Sequence, residues 1–279
     1  VTDSRLRLAV LGSPIAHSKS PALHSAAYRV LGLPWTYEAV EVREDELGEF
    51  LAGLDDEWRG LSLTMPLKRD VIRHLTTVDD FGSITGAVNT VLVGGDALRG
   101  FNTDVSGAER MLAEAFPDPL DSALLLGSGA TAGSLLVALS RRGVRRVTVW
   151  ARSLERAAGV EAVAERVGVS IDVQPFGSEL ELPDVVVSTL PGTAELPMGL
   201  PRGLCSTVPL VDIAYAPQPT AAARSWRDEG GAIVNNGIGM LVYQALAQVR
   251  IFVGGDPEIE LPDEGAVLAA MRGAAFGTA

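Results

Sequence analysis

Lysine is rare in this chain of 279 residues: of 23 basic side chains only Lys19 and Lys68 are lysines, and the rest are arginines. Arginine keeps its proton in a protein, whereas a lysine amine can exchange one and so do acid–base work. Lys68 follows the strand-like run Gly60–Thr64 and then Met65-Pro66-Leu67, and Pro66 predicts the start of a helix with Lys68 in its first turn. The helix dipole opposes a cation there unless chemistry or a carboxylate compensates. The alternative is a solvent-facing helix lysine. A second reactive-looking group is Ser18-Lys19-Ser20-Pro21, where Ser20 predicts an N-cap and Pro21 the first position of a helix to about Leu31. Two hydroxyls at a helix start can also converge, with free N–H groups, on a small carboxylate.

The third group lies mid-chain. Ala123–Leu126 is an apolar run of strand length, Gly127-Ser128-Gly129-Ala130-Thr131-Ala132-Gly133 is a glycine loop, and an apolar helix follows until Gly143. The run Arg145–Trp150 then predicts a second strand, which makes one strand–helix–strand crossover. Gly127 and Gly129 let the backbone approach a pyrophosphate, and the helix N-terminus holds its charge. An NAD site usually ends the second strand with Asp or Glu on the ribose; this chain has Ala151-Arg152-Ser153, with Arg156 a turn later. Guanidinium groups grip a 2′-phosphate through paired hydrogen bonds, so the cofactor expected is NADP(H). The alternative is that these arginines only cap and solvate a surface helix.

Bulk properties narrow the partners. A net charge of −12 argues against nucleic acid or an anionic membrane, and Arg141, Arg142, Arg145 and Arg146 read as a solvated helix end. A single cysteine, Cys205, forms no internal disulfide and suits the cytoplasm. Arg5–Leu11 is too short and wrongly flanked for a signal peptide. Ser122–Ser140 runs 19 residues without a charge, but its glycines and hydroxyls belong to the crossover, not to a membrane span. His17, His24 and His74 with Cys205 have no ligand spacing, so no metal is expected.

The elements that must position these groups follow in order. Leu6–Leu11 predicts a strand, Trp35–Val42 another, and Glu44–Leu54 an acidic helix. Gly86–Val93 and Ala97–Arg99 predict a hairpin about Gly94-Gly95-Asp96. Val105–Phe116 predicts a helix, for which Asp104 is a plausible N-cap, while Asn89 and Asn102 suit turns. Beyond the crossover, Ile171–Val173, Asp184–Val187, Val208–Ile213 and Ala232–Val234 complete the six strands of a dinucleotide-binding sheet. Helices are expected over Met240–Phe252 and Glu264–Met271.

Taken together, Gly12-Ser-Pro-Ile-Ala-His17-Ser18-Lys19-Ser20-Pro21-x-x-His24, Leu63-Thr64-Met-Pro66-Leu-Lys68, Gly86-Ala-Val-Asn89-Thr90 and Asn102-Thr-Asp104 resemble the shikimate dehydrogenase family. So do Asp212-x-x-Tyr215-x-Pro217-x-x-Thr220 and Gly237-x-Gly239-Met240-x-x-x-Gln244. The motifs fall in the family's order along nearly the whole chain.

The resemblance implies NADPH-dependent, reversible reduction of 3-dehydroshikimate to shikimate, a step of aromatic amino acid (chorismate) biosynthesis. It implies that Ser18 and Ser20 hold the substrate carboxylate, that Thr64, Asn89, Tyr215 and Gln244 contact the ring, and that Lys68 and Asp104 form the catalytic pair side by side. It also implies that Gly127, Ser128, Gly129 and Ala130 carry the pyrophosphate, that Arg152, Ser153 and Arg156 grip the 2′-phosphate, and that the loops of Ile213 and Gly239 lie against the nicotinamide. Two positions depart from the family: its usual Asn is Ser62 here, and its usual Asn-Arg-Thr is Ala151-Arg152-Ser153.

The architecture expected is two α/β domains with an active-site cleft between them. The substrate domain would be residues 1–104 with 240–279, and a Rossmann-type, doubly wound parallel sheet would be residues 105–239. The partner expected is a small-molecule substrate, with no nucleic acid or membrane, on a monomer or homodimer. A quinate/shikimate or amino-shikimate paralogue using NAD or NADP, and a non-catalytic dinucleotide sensor, are the alternatives.

Overall fold

The computed structural model describes residues 5–94, 97–196 and 200–277, without the side chains of Arg156, Asn235 and Asn236. Gly95 and Asp96 of the expected turn lie outside the described residues. The chain divides into two compact units, Val1–Thr103 with Val242–Ala279, and Asp104–Leu241.

The first unit begins with β1 (Arg7–Gly12), α1 (Ser20–Val30), β2 (Thr36–Glu41), α2 (Leu47–Ala52) and β3 (Trp58–Leu63). After a turn and a short 3-10 segment come β4 (Thr77–Val78), α3 (Asp80–Thr85), β5 (Thr90–Gly94) and β6 (Ala97–Phe101). These strands form one sheet ordered β2-β1-β3-β5-β6-β4. β1 pairs parallel with β2 and β3, while β5 runs antiparallel to both β3 and β6. The turn after β1, the turn after β3, the entry to β5 and the exit of β6 therefore share one edge. One face of the sheet is sealed by Leu11, Leu47, Leu61, Leu67, Val71, Val88 and Val91, all fully buried. On the opposite face Gly60 is required: a Cβ there would sit 2.3 Å from the Phe252 ring.

The second unit holds α4 (Thr103–Ala115, whose first residue belongs to the first unit), β7 (Ser122–Leu126), α5 (Ala130–Arg141), β8 (Arg146–Trp150), α6 (Ala158–Val167) and β9 (Ser170–Gln174). It continues through β10 (Val185–Ser188), α7 (Leu204–Thr207), β11 (Leu210–Asp212), α8 (Ala221–Asp228) and β12 (Ile233–Asn236). Its sheet is ordered β12-β11-β10-β7-β8-β9, and every recorded pairing is parallel. That is the doubly wound order, with its reversal between β7 and β10. The central strands β7 and β10 are apolar on both faces because helices cover both; Leu124, Leu125, Val186 and Val187 are completely buried. Finally α9 (Ile238–Gly254) crosses back into the first unit, where α10 (Glu264–Phe276) packs along α1.

Three local expectations fail. No α-helix starts at Pro66: Leu67 N–H closes a turn on Thr64 O, and Asp70–His74 is a 3-10 segment. The Lys68 carbonyl accepts from Val88 N–H at 2.8 Å, while Ile72 N–H turns to Arg69, so no helical ladder can propagate from Lys68. Ser20 is not the N-cap of α1 but its first residue, with Lys19 in the cap position. The acidic helix shrinks to Leu47–Ala52, burying Leu47 and Leu51 and ending at Gly53.

Candidate active site

In the first unit the shared edge gathers most of the polar residues singled out above. The loop leaving β1 is stitched to the loop leaving β3: Ser13 N–H donates to Met65 O at 3.0 Å and Thr64 N–H to Leu11 O at 2.9 Å. Gly12 permits this approach, since a Cβ there would lie 2.4 Å from the Thr64 methyl. Ser18 is half-buried and Ser20 buried, and the Ser18 hydroxyl accepts from Ser20 N–H at 3.3 Å. Lys19 points elsewhere. Its Nζ donates to Ala275 O at 2.7 Å near the end of α10, a structural contact that a helix C-terminus favours.

Lys68 is half-buried in the turn after β3. Backbone hydrogen bonds run from Val88 N–H to its carbonyl, and from Asn89 N–H to Phe101 O. The Asn89 side chain completes the link: its Oδ1 accepts from Thr103 N–H at 2.9 Å, and its Nδ2 donates to Thr103 Oγ1 at 2.9 Å and to Gln244 Oε1 at 3.3 Å. Asp104, buried, follows Thr103 as the second residue of α4, so it is no N-cap. Asn102 is structural: its Nδ2 donates to Thr85 Oγ1 and Ala87 O, and its N–H to Asp79 Oδ1.

Behind Asn89 and Gln244 lies a buried network that the sequence did not announce. Gln248, one turn beyond Gln244 on α9, is 2% exposed. Its Oε1 accepts from Ser62 Oγ at 3.0 Å and meets His24 Nε2 at 3.1 Å, and its Nε2 donates to Thr90 Oγ1 at 3.0 Å and Asn89 O at 3.3 Å. Tyr37 OH donates to Ser62 Oγ at 2.6 Å, and the Tyr37 ring stacks on His24 with centroids 4.0 Å apart. Burial lowers the His24 pKa to about 3, opposed by the Gln248 bond, so the ring is neutral. Gln248 already accepts from Ser62, so His24 is the Nε2–H tautomer and its Nδ1 accepts from Tyr28 OH at 3.3 Å.

In the second unit, four loops meet at the C-terminal edge of the parallel sheet. Gly127 has φ +100°, and a Cβ on it would lie 2.7 Å from Thr189 Oγ1, which donates to Leu126 O. A Cβ on Gly192 or Gly237 would lie 2.4 Å from Ala216 O or Ile213 O respectively. The turns after β7, β10, β11 and β12 therefore touch, at the switch point where open α/β sheets bind ligands. Gly239 lies in the first turn of α9, not in a loop. Asp212 anchors the loop carrying Tyr215: its carboxylate accepts from Ala214 N–H and from the Thr220 hydroxyl. Burial raises the Asp212 pKa and that of the Tyr215 phenol.

A dinucleotide fits this edge. Gly129 is the N-cap of α5, nothing lies within 4 Å of where its Cβ would be, no side chain caps the helix and its first turn holds no acid. Those uncapped N–H groups match an anion. Ser128 and Ala130 sit beside it, Ser128 half-buried. Ala151 is buried as β8 ends, Arg152 is exposed and Ser153 half-buried. The Arg156 side chain, the third member of the expected clamp, lies outside the described residues.

Comparison with known proteins identifies the family. Residues 10–91 match the family model described as the shikimate dehydrogenase substrate binding domain. Shikimate dehydrogenase (NADP(+)) of Methylobacterium radiotolerans is 35% identical over 91% of this chain and 93% of its own. The chain belongs to the shikimate dehydrogenase family. Among solved structures, Mycobacterium tuberculosis shikimate dehydrogenase superposes with a TM-score of 0.80 at 36% identity, over 95% of this chain and 98% of that one. The Thermus thermophilus enzyme in complex with NADP(H) and shikimate gives 0.78 at 34% identity, covering 96% and 99%. Within the family pattern, Ser62 is tied to Tyr37 and Gln248. One signal could have exposed Gln248: it repeats Gln244 at helical spacing i, i+4, which puts both on one face. Among the described residues no group of three His, Cys, Asp or Glu side chains could hold a metal, and no helix is long and apolar enough to cross a membrane. Burial pushes the Cys205 thiol up to about 11, which leaves it chemically quiet.

Proposed function

We propose that this protein is an NADP-dependent dehydrogenase that interconverts shikimate and 3-dehydroshikimate. The observation that carries the reading is family membership over nearly the whole chain, with relatives named as NADP(+) enzymes. It is supported by the uncapped α5 N-terminus followed, after β8, by Arg152 in place of a carboxylate.

Bound NADPH supplies the hydride that reduces the ring ketone. The chain supplies the rest. Ser18 and Ser20 hold the substrate carboxylate with hydroxyl donors. Asn89 and Gln244 hydrogen-bond ring hydroxyls, with Thr64 and Tyr215 beside them. Lys68 gives a proton to the forming alkoxide and takes it back in the reverse direction, while Asp104 orients it and accepts from a neighbouring substrate hydroxyl. Gly127, Ser128, Gly129 and Ala130 carry the pyrophosphate, Arg152, Ser153 and Arg156 the 2′-phosphate, and Ile213 and Gly239 border the nicotinamide. The enzyme works in the cytoplasm as a monomer or homodimer, on a substrate domain of residues 1–104 with 240–279 and an NADP domain of residues 105–239.

Initial rates with shikimate and quinate, each paired with NADP+ and with NAD+, test the assignment. The reading expects the shikimate–NADP+ pair to give the highest kcat/KM; a quinate or NAD+ maximum reassigns the chain to a paralogue, and no turnover in any pair overturns catalysis.

A further inference from the structure

We propose that Gln248 is a positioning residue of the substrate site, and that Gln248 and Ser62 together do what a longer amide at position 62 would do alone. The inference rests on the shikimate reading above. Every polar atom of the Gln248 amide is used. Oε1 takes Ser62 Oγ and His24 Nε2, and Nε2 reaches Thr90 Oγ1 and Asn89 O.

These partners leave one self-consistent arrangement of protons. Tyr37 donates to Ser62, and Ser62 to Gln248; Tyr28 donates to His24, and His24 to Gln248. Gln248 donates to Thr90, and Thr90 Oγ1 donates to Asn89 Oδ1 at 2.9 Å. Donation therefore runs in a single direction, from two buried phenols to the Asn89 carbonyl oxygen. That oxygen also takes Thr103 N–H, so the Asn89 NH2 must face Gln244 Oε1. With its oxygen committed to Asn89, Gln244 turns its NH2 edge the other way. A flipped amide at 248 would set acceptor against acceptor at Asn89 O, and would require Ser62 and His24 to accept where they now donate. Gln248 thus sets the orientation of the Asn89 amide and, through it, the edge that Gln244 turns towards Asn89, without touching substrate itself.

Ser62 cannot do this unaided. It stands on β3 with a single hydroxyl, already accepting from Tyr37. The reach to Thr90 and the Asn89 backbone comes from α9 through Gln248. A longer amide growing from position 62 would span the same gap from the strand side.

The experiment measures steady-state constants and melting temperature for wild type, Gln248→Met, Ser62→Ala, Gln248→Ala and the double variant Ser62→Asn/Gln248→Ala. Gln248→Met keeps volume but removes all four hydrogen bonds; the KM for shikimate should rise about tenfold, the cost of roughly one lost oriented contact, with the KM for NADP+ within about twofold. Ser62→Ala should move shikimate KM in the same direction, and it serves if Gln248→Met does not fold. Adding Ser62→Asn should recover at least half of the logarithmic loss in Gln248→Ala. The inference is overturned if shikimate KM is unchanged, if both KM values drift together with the melting temperature, or if the double variant is no better than Gln248→Ala. A wild type that turns over NADP+ with quinate but not shikimate overturns the substrate reading and this inference with it, whereas normal wild-type kinetics with unmoved variants overturns this inference alone.

Discussion

The Asn89 side chain donates to Gln244 Oε1 at 3.3 Å, joining the entry of β5 to α9 across 155 residues of sequence. This bond links the N-terminal part of the first unit to its C-terminal part at the site edge, and both partners are at least nine-tenths buried.

Removing that amide should be felt in folding and in binding at once. Asn89→Ala takes one partner each from Thr103 N–H, the Thr90 hydroxyl and Gln244 Oε1, and a buried polar group that loses its hydrogen bond costs about 1–3 kcal/mol. The expected outcome is a melting temperature lower by several degrees and a shikimate KM raised about tenfold or more, with NADP+ affinity kept. Fluorescence titration with NADPH and a thermal melt check both; an unchanged shikimate KM removes Asn89 from the site.

Lys68 and Asp104 carry the proton chemistry in this account. Lys68→Ala and Asp104→Ala should each lower kcat by about 10²–10⁴, the usual size of an acid–base contribution, and leave NADP+ binding intact. If both variants stay within tenfold of wild type in stopped-flow turnover, the couple is not the acid–base group.

Charge at the end of β8 should set the choice of dinucleotide. Arg152→Asp would repel a 2′-phosphate and accept from a 2′-hydroxyl, so the ratio of KM for NADPH to KM for NADH should rise by about tenfold or more. An unmoved ratio would locate the clamp elsewhere.

Thr220 has two duties. Its hydroxyl donates to the buried Asp212 carboxylate and accepts from Ala223 N–H as the N-cap of α8. Thr220→Val loses both, and the cap together with a hydrogen bond to a charged group is worth about 2–4 kcal/mol. Burial already raises the Asp212 pKa, so folded Asp212 holds its proton to a higher pH than the unfolded chain does. Its contribution to stability is therefore largest at acid pH and falls as pH rises through the folded value. Losing the Thr220 bond should push that pKa further up, making the variant's deficit in urea unfolding larger at neutral pH than near the ordinary carboxylate range. A deficit independent of pH would contradict this.

His24 has the opposite sign. Its folded pKa lies at about 3, against 6.5 for an ordinary imidazole. Below 6.5 the unfolded chain gains a proton that the buried ring refuses, so stability falls by up to about 1.4 kcal/mol per pH unit as pH drops towards 3. Urea midpoints for wild type and His24→Gln over that range should differ in slope, the variant lacking this component. Equal slopes would show that His24 titrates freely when folded.

Most of the architecture is legible in the sequence because its signals are local. The central strands β7 and β10 of the second sheet read as short apolar runs, since a strand covered on both faces has no alternation to obscure it. Gly127 and Gly237 read as turns, and each is held by a close approach that only glycine permits. A helix at Lys68 is wrongly expected because its carbonyl goes to Val88, a partner brought in by the sheet and invisible in the neighbouring sequence. Ser20 looks like a cap by composition, but the chain turns one residue earlier at Lys19. The Tyr37–Ser62–Gln248–Thr90 relay is hidden for the same reason as Lys68, since its members come from three strands and a helix more than a hundred residues away.

Transfer of the hydride itself tests the central claim most directly. Shikimate carrying deuterium on the carbinol carbon that becomes the ketone, incubated with NADP+ and the wild-type protein, should yield NADPH heavier by about one mass unit together with unlabelled 3-dehydroshikimate. Unlabelled NADPH, or none at all, would contradict the account.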